Sequence, residues 1–248
     1  MTHAPPIVLA PATLLATFGL VRSARVTSES FLDGLADEAR VALLACGRVK
    51  QFAKGSALFH EGDQGHEVFI LTDGLIKIAI SDADGREVIL DVLGVGDITG
   101  ELSAIDAGPR SATGTALNDV RACIVRHVDF AALLAREPSV GSSLIGVVAR
   151  RLRGASRRQF EFGAGDALGR LCRSLCDLDS RYGVDIGSLR TFELPFGQQE
   201  LAGHAGLSRE AVVKALAALR NLGWISVERR TVTVHARGDI EARATGSY

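Results

Sequence analysis

Apolar residues between Arg48 and about Arg126 come in short runs rich in β-branched side chains, the clearest being Val68–Leu71, Leu75–Ile80 and Val88–Leu93. Glycines punctuate them at Gly55, Gly62, Gly65, Gly74, Gly85, Gly94, Gly96, Gly100 and Gly108. Runs of this length bounded by turn residues predict strands. Thr72-Asp73-Gly74 and Asp82-Ala83-Asp84-Gly85 tolerate positive φ and predict hairpin turns. Several short strands must close on themselves or find a second layer to protect their edges, so residues 31–128 are expected to form a barrel or roll.

After Val128 turn residues thin out and the period changes. Ile145, Val148, Leu152, Ala155, Gln159 and Phe162 fall at alternating steps of three and four. That spacing predicts the seam of a long helix over 129–162 that pairs with another helix, with Arg150, Arg151, Arg153, Arg157 and Arg158 largely off the seam. A helix packed on its own domain would carry a similar stripe, because the pattern is shorter than the three or four heptads of a sustained coiled coil. Gly163-Ala164-Gly165 predicts a hinge into a second helix from Asp166 to about Ser180.

The C-terminal block has its own signature. Gln198–Ala205 reads as a helix, Gly206-Leu207-Ser208 as a tight turn with Ser208 as N-cap, and Arg209–Leu222 as a helix ended by Gly223. The strand-like pair Trp224–Val227 and Thr231–Val234 completes a winged helix-turn-helix. The chain is thus expected to be α+β, with a variable leader at 1–30, a β-roll at 31–128, a long helix at 129–162 and a winged helix-turn-helix at 163–248.

With 248 residues, 47% hydrophobic and 23% charged, the chain is neither disordered nor collagen-like. A formal net charge of -1 gives no global attraction to phosphate, so any nucleic-acid contact must come from a local basic patch. Cys46, Cys123, Cys172 and Cys176 form neither a disulfide framework nor a C-x-x-C pair, which fits a reducing compartment, the cytoplasm. The apolar stretch Ile7–Val21 lacks a preceding basic region and is shorter than the roughly 20 residues of a membrane span, so neither secretion nor a membrane partner is expected.

Candidate chemistry concentrates in Gly100-Glu101-Leu102-Ser103-Ala104-Ile105-Asp106-Ala107-Gly108-Pro109-Arg110-Ser111-Ala112. A carboxylate, a guanidinium and a hydroxyl gathered by a short glycine-bounded segment match a ligand that combines a ribose hydroxyl with an anionic phosphate. The same residues also fit a surface ion pair beside a loop. In the second helix of the C-terminal block, Arg209, Glu210, Val213 and Lys214 fall on neighbouring turns. One face there can offer a guanidinium to guanine, a carboxylate to the amino group of cytosine and an ammonium to a further base or phosphate. Gln198, Gln199, Ser208, Arg229 and Arg230 are candidate phosphate contacts, although a polar hairpin tip accounts equally well for Arg229 and Arg230.

The run Gly100–Ala112 resembles the phosphate-binding cassette of cyclic-nucleotide-binding domains, and Phe59-His60-Glu61-Gly62-Asp63, Gly85-Arg86-Glu87-Val88-Ile89-Leu90 and Gly96–Leu102 follow that domain in order and spacing. With the helix-turn-helix, the chain from about Phe31 to Ala236 resembles the cyclic-AMP receptor protein and fumarate-nitrate regulator (CRP/FNR) family of bacterial transcription factors. The resemblance implies a cyclic-nucleotide-binding β-roll, a long dimerisation helix and a homodimer that reads a palindromic site on double-stranded DNA. For an activator it further implies RNA polymerase as a partner.

By position, Glu101 would hold the ribose 2′-hydroxyl and Arg110 and Ser111 the cyclic phosphate, with Gly100 and Leu102 lining the pocket. In the cyclic-AMP receptor two hydroxyl residues of the long helix read the adenine, one of them from the partner subunit. They fall at Ala155, which has lost the hydroxyl, and Ser156, which keeps it. The family's small polar strand residue near the base falls at Asp91, a charge that must be solvated, paired or used. Cyclic AMP (cAMP) is therefore the expected ligand, with cyclic GMP and a lost ligand response as alternatives. The family's cyclic-AMP receptors carry Arg where Lys214 stands, which implies a related but different operator.

Other chemistries are not expected. Cys172 and Cys176 share a helix face, yet no His or further Cys lies at ligand spacing, so buried inert thiols are expected rather than a metal site, with a DNA-binding regulator of the same fold that senses redox state through its thiols as the alternative. The fumarate-nitrate branch holds an iron-sulfur cluster with N-terminal cysteines, and this chain has none before Cys46. Gly94-Val95-Gly96 and Gly100 have neither dinucleotide-fingerprint nor Walker spacing, and no nucleophile, base and orienting group converge, so an enzyme is not expected.

Overall fold

The computed structural model describes residues 30–82, 87–162, 166–186 and 189–246, and of 157–162 only the backbone. The leader to residue 29, most of the Asp82–Gly85 turn, the glycine hinge at 163–165 and the seam side chains of Gln159 and Phe162 lie outside the described residues.

A 3-10 turn, Leu32–Gly34, and helix α1, Asp37–Ala45, lead into eight strands: β1 Arg48–Phe52, β2 Ala57–Phe59, β3 Glu67–Asp73, β4 Ile76–Ser81, β5 Glu87–Leu93, β6 Ile98–Thr99, β7 Thr113–Ala116 and β8 Val120–Arg126. They form two antiparallel sheets, β1-β8-β3-β6 and β2-β7-β4-β5, with a short helix α2, Glu101–Asp106, between β6 and β7. The expected roll is present, and its two sheets pack face to face as two layers.

Strand β3 explains why its sequence does not alternate. Phe69 and Leu71, with Ala122 and Ile124, pack against Ile76 and Leu93 of the second sheet, while Val68 and Ile70 face helices together with Cys123 and Val125. A strand covered on both faces reads as a continuous apolar run.

The covering helices are α1, α3 (His127–Arg136) and α4 (Pro138–Phe162), which contribute Leu43, Phe130, Leu133, Val140, Leu144 and Val147 to that core. The single helix expected over 129–162 is therefore two. Glu137, at φ -122 and ψ 82, leaves the helical region, because Pro138 restricts its predecessor and is suited to open a new helix. Helix α4 turns Val140, Leu144 and Val147 to its own domain, yet leaves Ile145 71% and Leu152 65% exposed.

The C-terminal unit comprises α5 (Ala167–Tyr182), β9 (Val184–Ile186), β10 (Leu189–Glu193), α6 (Gln198–Ala205), α7 (Arg209–Asn221), β11 (Ile225–Glu228), β12 (Thr231–Val234) and α8 (Arg237–Thr245). Its strands form one sheet in the order β11-β12-β10-β9. The hairpin β9–β10 and helix α8 extend the winged helix-turn-helix beyond the expected elements. Helix α8 seals α5 with Ile240 and Ala244, and Arg173 donates to the carbonyl of Ala244 at 2.9 Å. Ala79, Ile89 and Val92 from β4 and β5 join this same core, so the helix-turn-helix rests on the outer face of the second sheet. Among the described residues no helix is long and apolar enough to cross a membrane.

Candidate functional site

Gly100 sits in the left-handed region at φ +76 just before α2, and a Cβ there would stand 2.3 Å from Nη1 of Arg110. Only glycine meets both conditions. On the other side Arg110 is tied to the loop before β3. Its backbone N–H donates to Asp63 at 2.8 Å and its carbonyl accepts from Gly62 at 2.9 Å.

The Arg110 side chain is 5% exposed, and its Nη1 and Nη2 donate to the carbonyls of Gly100 (2.7 Å) and Glu67 (2.6 Å). The guanidinium lies 4.7 Å from the ring centroid of Phe59 and 5.6 Å from that of Phe69, both within cation–π range. Its Nε is buried without a hydrogen-bond partner, and among the described residues no carboxylate oxygen lies within ion-pair distance. Burial lowers the pKa of this arginine from its ordinary value, the cost of holding a charge out of water. Glu67, Glu101 and Asp63 offset part of that cost through space, and the open Nε leaves the guanidinium able to receive an anion.

The space it faces is a cleft of about 560 Å³, within the range of small-molecule sites. Gly100, Glu101, Leu102, Ser111 and Asp91 line it, with Ile78, Leu90 and Leu93 from the second sheet and Val148, Leu152 and Ala155 from α4. The structure thus brings together every ligand residue expected from the sequence except Ser156, which is exposed on α4 outside this lining.

Arg151 and Phe59 were not foreseen. Arg151 reaches from α4 to donate to Oε1 of the buried Glu101 and to the carbonyl of Ile98, each at 2.6 Å. That contact fixes one carboxylate oxygen and leaves the other for a hydroxyl donor. Arg151 stands one turn before Ala155 on the same helix face, the spacing that could have revealed it. Asp91, the unexplained charge, is paired. Its Oδ1 accepts from Nη1 of Arg181 at 2.8 Å and its Oδ2 lies 3.9 Å from Nε of Arg151.

A second surface forms on α6 and α7. Ser208 caps α7 by accepting the Ala211 N–H at 3.2 Å, and Gly206 ends α6 at φ +61. Val212, Ala215, Leu216 and Leu219 are buried, which turns Arg209, Glu210, Val213 and Lys214 to solvent on one face. Gln198 and Gln199 are exposed at the start of α6, where Glu200 accepts from the Gly197 N–H at 3.0 Å. In the wing Arg229 takes positive φ (54), while Arg230 points back and donates through Nε and Nη2 to the carbonyl of Leu194. Arg230 therefore braces the wing, a structural task that the sequence reading did not assign to it.

Among the described residues no three or more His, Cys, Asp or Glu side chains are grouped to hold a metal ion. Burial pushes the Cys172 thiol up to about 11 and those of Cys123 and Cys176 up to about 12, so they stay protonated and unreactive at neutral pH.

Residues 49–137 match the family model of the cyclic nucleotide-binding domain, and residues 169–243 that of the Crp-like helix-turn-helix domain. A CRP-like cAMP-activated global transcriptional regulator of Mycobacterium tuberculosis is 34% identical over 193 residues, covering 78% of this chain and 86% of that one. The cyclic AMP receptor protein of Thermus thermophilus is 32% identical over 213 residues, covering 86% and 95%. Among solved structures, the c-di-GMP responsive regulator CLP of Xanthomonas campestris shares the fold, with a TM-score of 0.72 at 21% identity over 81% of this chain and 99% of that one. With its cyclic nucleotide-binding roll and its Crp-like reading head, the chain belongs to the CRP/FNR family of transcription factors.

Proposed function

We propose that this regulator is a homodimer that binds cAMP in the Glu101–Arg110 cleft and reads a palindromic DNA site with α7. The observation that carries the reading is Arg110, a buried guanidinium with an orphaned Nε and, among the described residues, no carboxylate within ion-pair distance, set in the wall of a nucleotide-sized cleft. Arg110 and Ser111 hold the cyclic phosphate, and the free oxygen of Glu101 accepts the ribose 2′-hydroxyl while Arg151 fixes the other. Ile78, Leu90, Val148 and Leu152 supply apolar walls for the base. Gly100 and Leu102 shape the floor, and Ser156 faces the partner subunit.

The exposed stripe of Ile145 and Leu152 supports pairing of two α4 helices, since apolar side chains at seam spacing gain most from a second copy. Arg209, Glu210 and Lys214 read base edges, Val213 gives apolar contact, and Gln198, Gln199, Ser208 and Arg229 hold phosphates. The protein acts in the cytoplasm, with RNA polymerase as partner where it activates. The domain limits that follow are a leader to residue 30, a nucleotide-binding roll at 31–128, a dimerisation segment at 129–162 and a DNA-binding unit at 163–248. The protonated thiols weigh against redox sensing in the same fold.

Calorimetric titration of the purified chain with cAMP and cyclic GMP tests the ligand. Saturable binding at micromolar concentration, tighter for cAMP and lost in Arg110→Ala, is the expected result. No binding of either nucleotide, or an unchanged Arg110→Ala variant, overturns the reading.

A further inference from the structure

Asp91 touches two worlds at once. Its carboxylate lines the cleft, and it also forms an ion pair with Arg181 of the DNA-reading unit. Arg181, near the end of α5, donates through Nη1 to Asp91 at 2.8 Å and to the carbonyl of Val92 at 3.3 Å. Behind it Nε of Arg181 meets Asp177 at 3.3 Å, Asp177 lies 3.4 Å from Nε2 of His204 on α6, and Nδ1 of His204 meets the Ser174 hydroxyl at 2.6 Å. A polar chain therefore runs from the wall of the cleft to the first helix of the helix-turn-helix. Beside it α6 lies directly on β5, where a Cβ at Gly203 would stand 3.0 Å from the carbonyl of Glu87 and 3.3 Å from the Ile89 side chain.

We propose that Asp91 is a shared carboxylate through which nucleotide binding and docking of the helix-turn-helix on β5 oppose one another. The inference rests on the proposed ligand reading, in which Arg110 and Glu101 take phosphate and ribose and the base points along the cleft toward Asp91. The hydrogen-bond donors of a purine's exocyclic amino group then seek the acceptor that Arg181 now uses. A ligand that binds the undocked arrangement better shifts the population toward it, and by linkage anything that undocks the unit tightens the ligand. Arg181 does not line the cleft, so it can be changed without removing a nucleotide contact.

Two variants weaken docking by independent routes. Arg181→Gln removes the cation, and Gly203→Leu drives a side chain against the Glu87 backbone. In the ligand-free full chain both are expected to speed amide exchange across β5 and α6 while β3 and β8 stay protected, which reports an intact roll. Both are expected to bind cAMP roughly five- to tenfold tighter than the parent chain, the ordinary size of such a coupling. Arg181→Lys, which keeps the charge, is expected to retain most of the parent behaviour. In the parent chain itself cAMP should speed exchange at β5.

Unchanged or weaker nucleotide affinity in both variants, or β5 exchange in the parent chain that cAMP leaves unchanged, overturns the opposition. If the parent chain binds no cyclic nucleotide, the ligand reading fails and the opposition with it. The Arg181 clamp is then judged by ligand-free exchange alone, and unaltered exchange in both variants refutes it.

Discussion

Arg110 carries a charge into a site where its direct contacts are two backbone carbonyls and two aromatic faces, with Glu67, Glu101 and Asp63 acting on it through space. Charge alone does not account for that geometry, because the planar fork lets Nη1 and Nη2 bridge α2 and β3 while Nε stays open. Arg110→Lys keeps the charge and loses the fork. Its cAMP affinity by calorimetry is expected to fall at least tenfold, with the melting temperature shifted far less.

Asp97 tests burial rather than binding. Its carboxylate accepts the Gly94 N–H at 2.9 Å, and desolvation pushes its pKa from 3.8 up to about 6. Because the folded value is raised, the folded chain holds a proton that the unfolded chain has released between about pH 4 and 6. The group's stabilising contribution is full below about pH 4 and is lost as pH rises through 6. Asp97→Asn can keep the Gly94 contact and cannot titrate. Denaturant unfolding of the two proteins across this window is expected to show the parent losing stability relative to the variant, by up to about 1.4 kcal/mol per pH unit. Parallel curves would contradict it.

At the scale of elements, helix α7 shows how a reading surface follows from packing. Burying Val212, Ala215, Leu216 and Leu219 leaves Arg209, Glu210 and Lys214 no face but the open one. Arg209→Ala is expected to cost on the order of 1 to 3 kcal/mol in operator affinity and to relax one position of each half-site. Competition among single-base operator variants measures this, and uniform weakening on every sequence would make Arg209 a phosphate contact instead.

Helix α4 is a second case, since Ile145 is exposed on a helix whose opposite face is already satisfied. Ile145→Asp puts a charge at the seam twice in a symmetric pair, and sedimentation equilibrium is expected to shift from dimer toward monomer. Most of these elements were legible because their signals are local. Ser208 and Gly223 bracket α7, and Gly100 to Ser111 hold the cassette within a dozen positions. The split of the 129–162 segment was also written there, in Pro138, but the period that defines the helix begins only at Ile145 and carries no sign of a break before it.

Across the whole molecule the illegible part is the contact made over long separations. Arg151 reaches Glu101 across 50 positions and Arg181 reaches Asp91 across 90, and no periodicity encodes either meeting. Both depend on how α4 and the C-terminal unit settle on the roll, which is decided by apolar residues such as Ile89 and Val92 that read simply as strand. The second of these joins the cleft to the C-terminal unit, so on the proposed reading control of DNA binding belongs to the assembled molecule rather than to either domain. Fluorescence anisotropy of a labelled palindromic operator, titrated with the full chain with and without saturating cAMP, tests that control most directly. The account predicts that cAMP shifts the parent chain's binding curve severalfold toward tighter binding and leaves the Arg110→Ala curve in place. Superimposable parent curves with and without the nucleotide would contradict it.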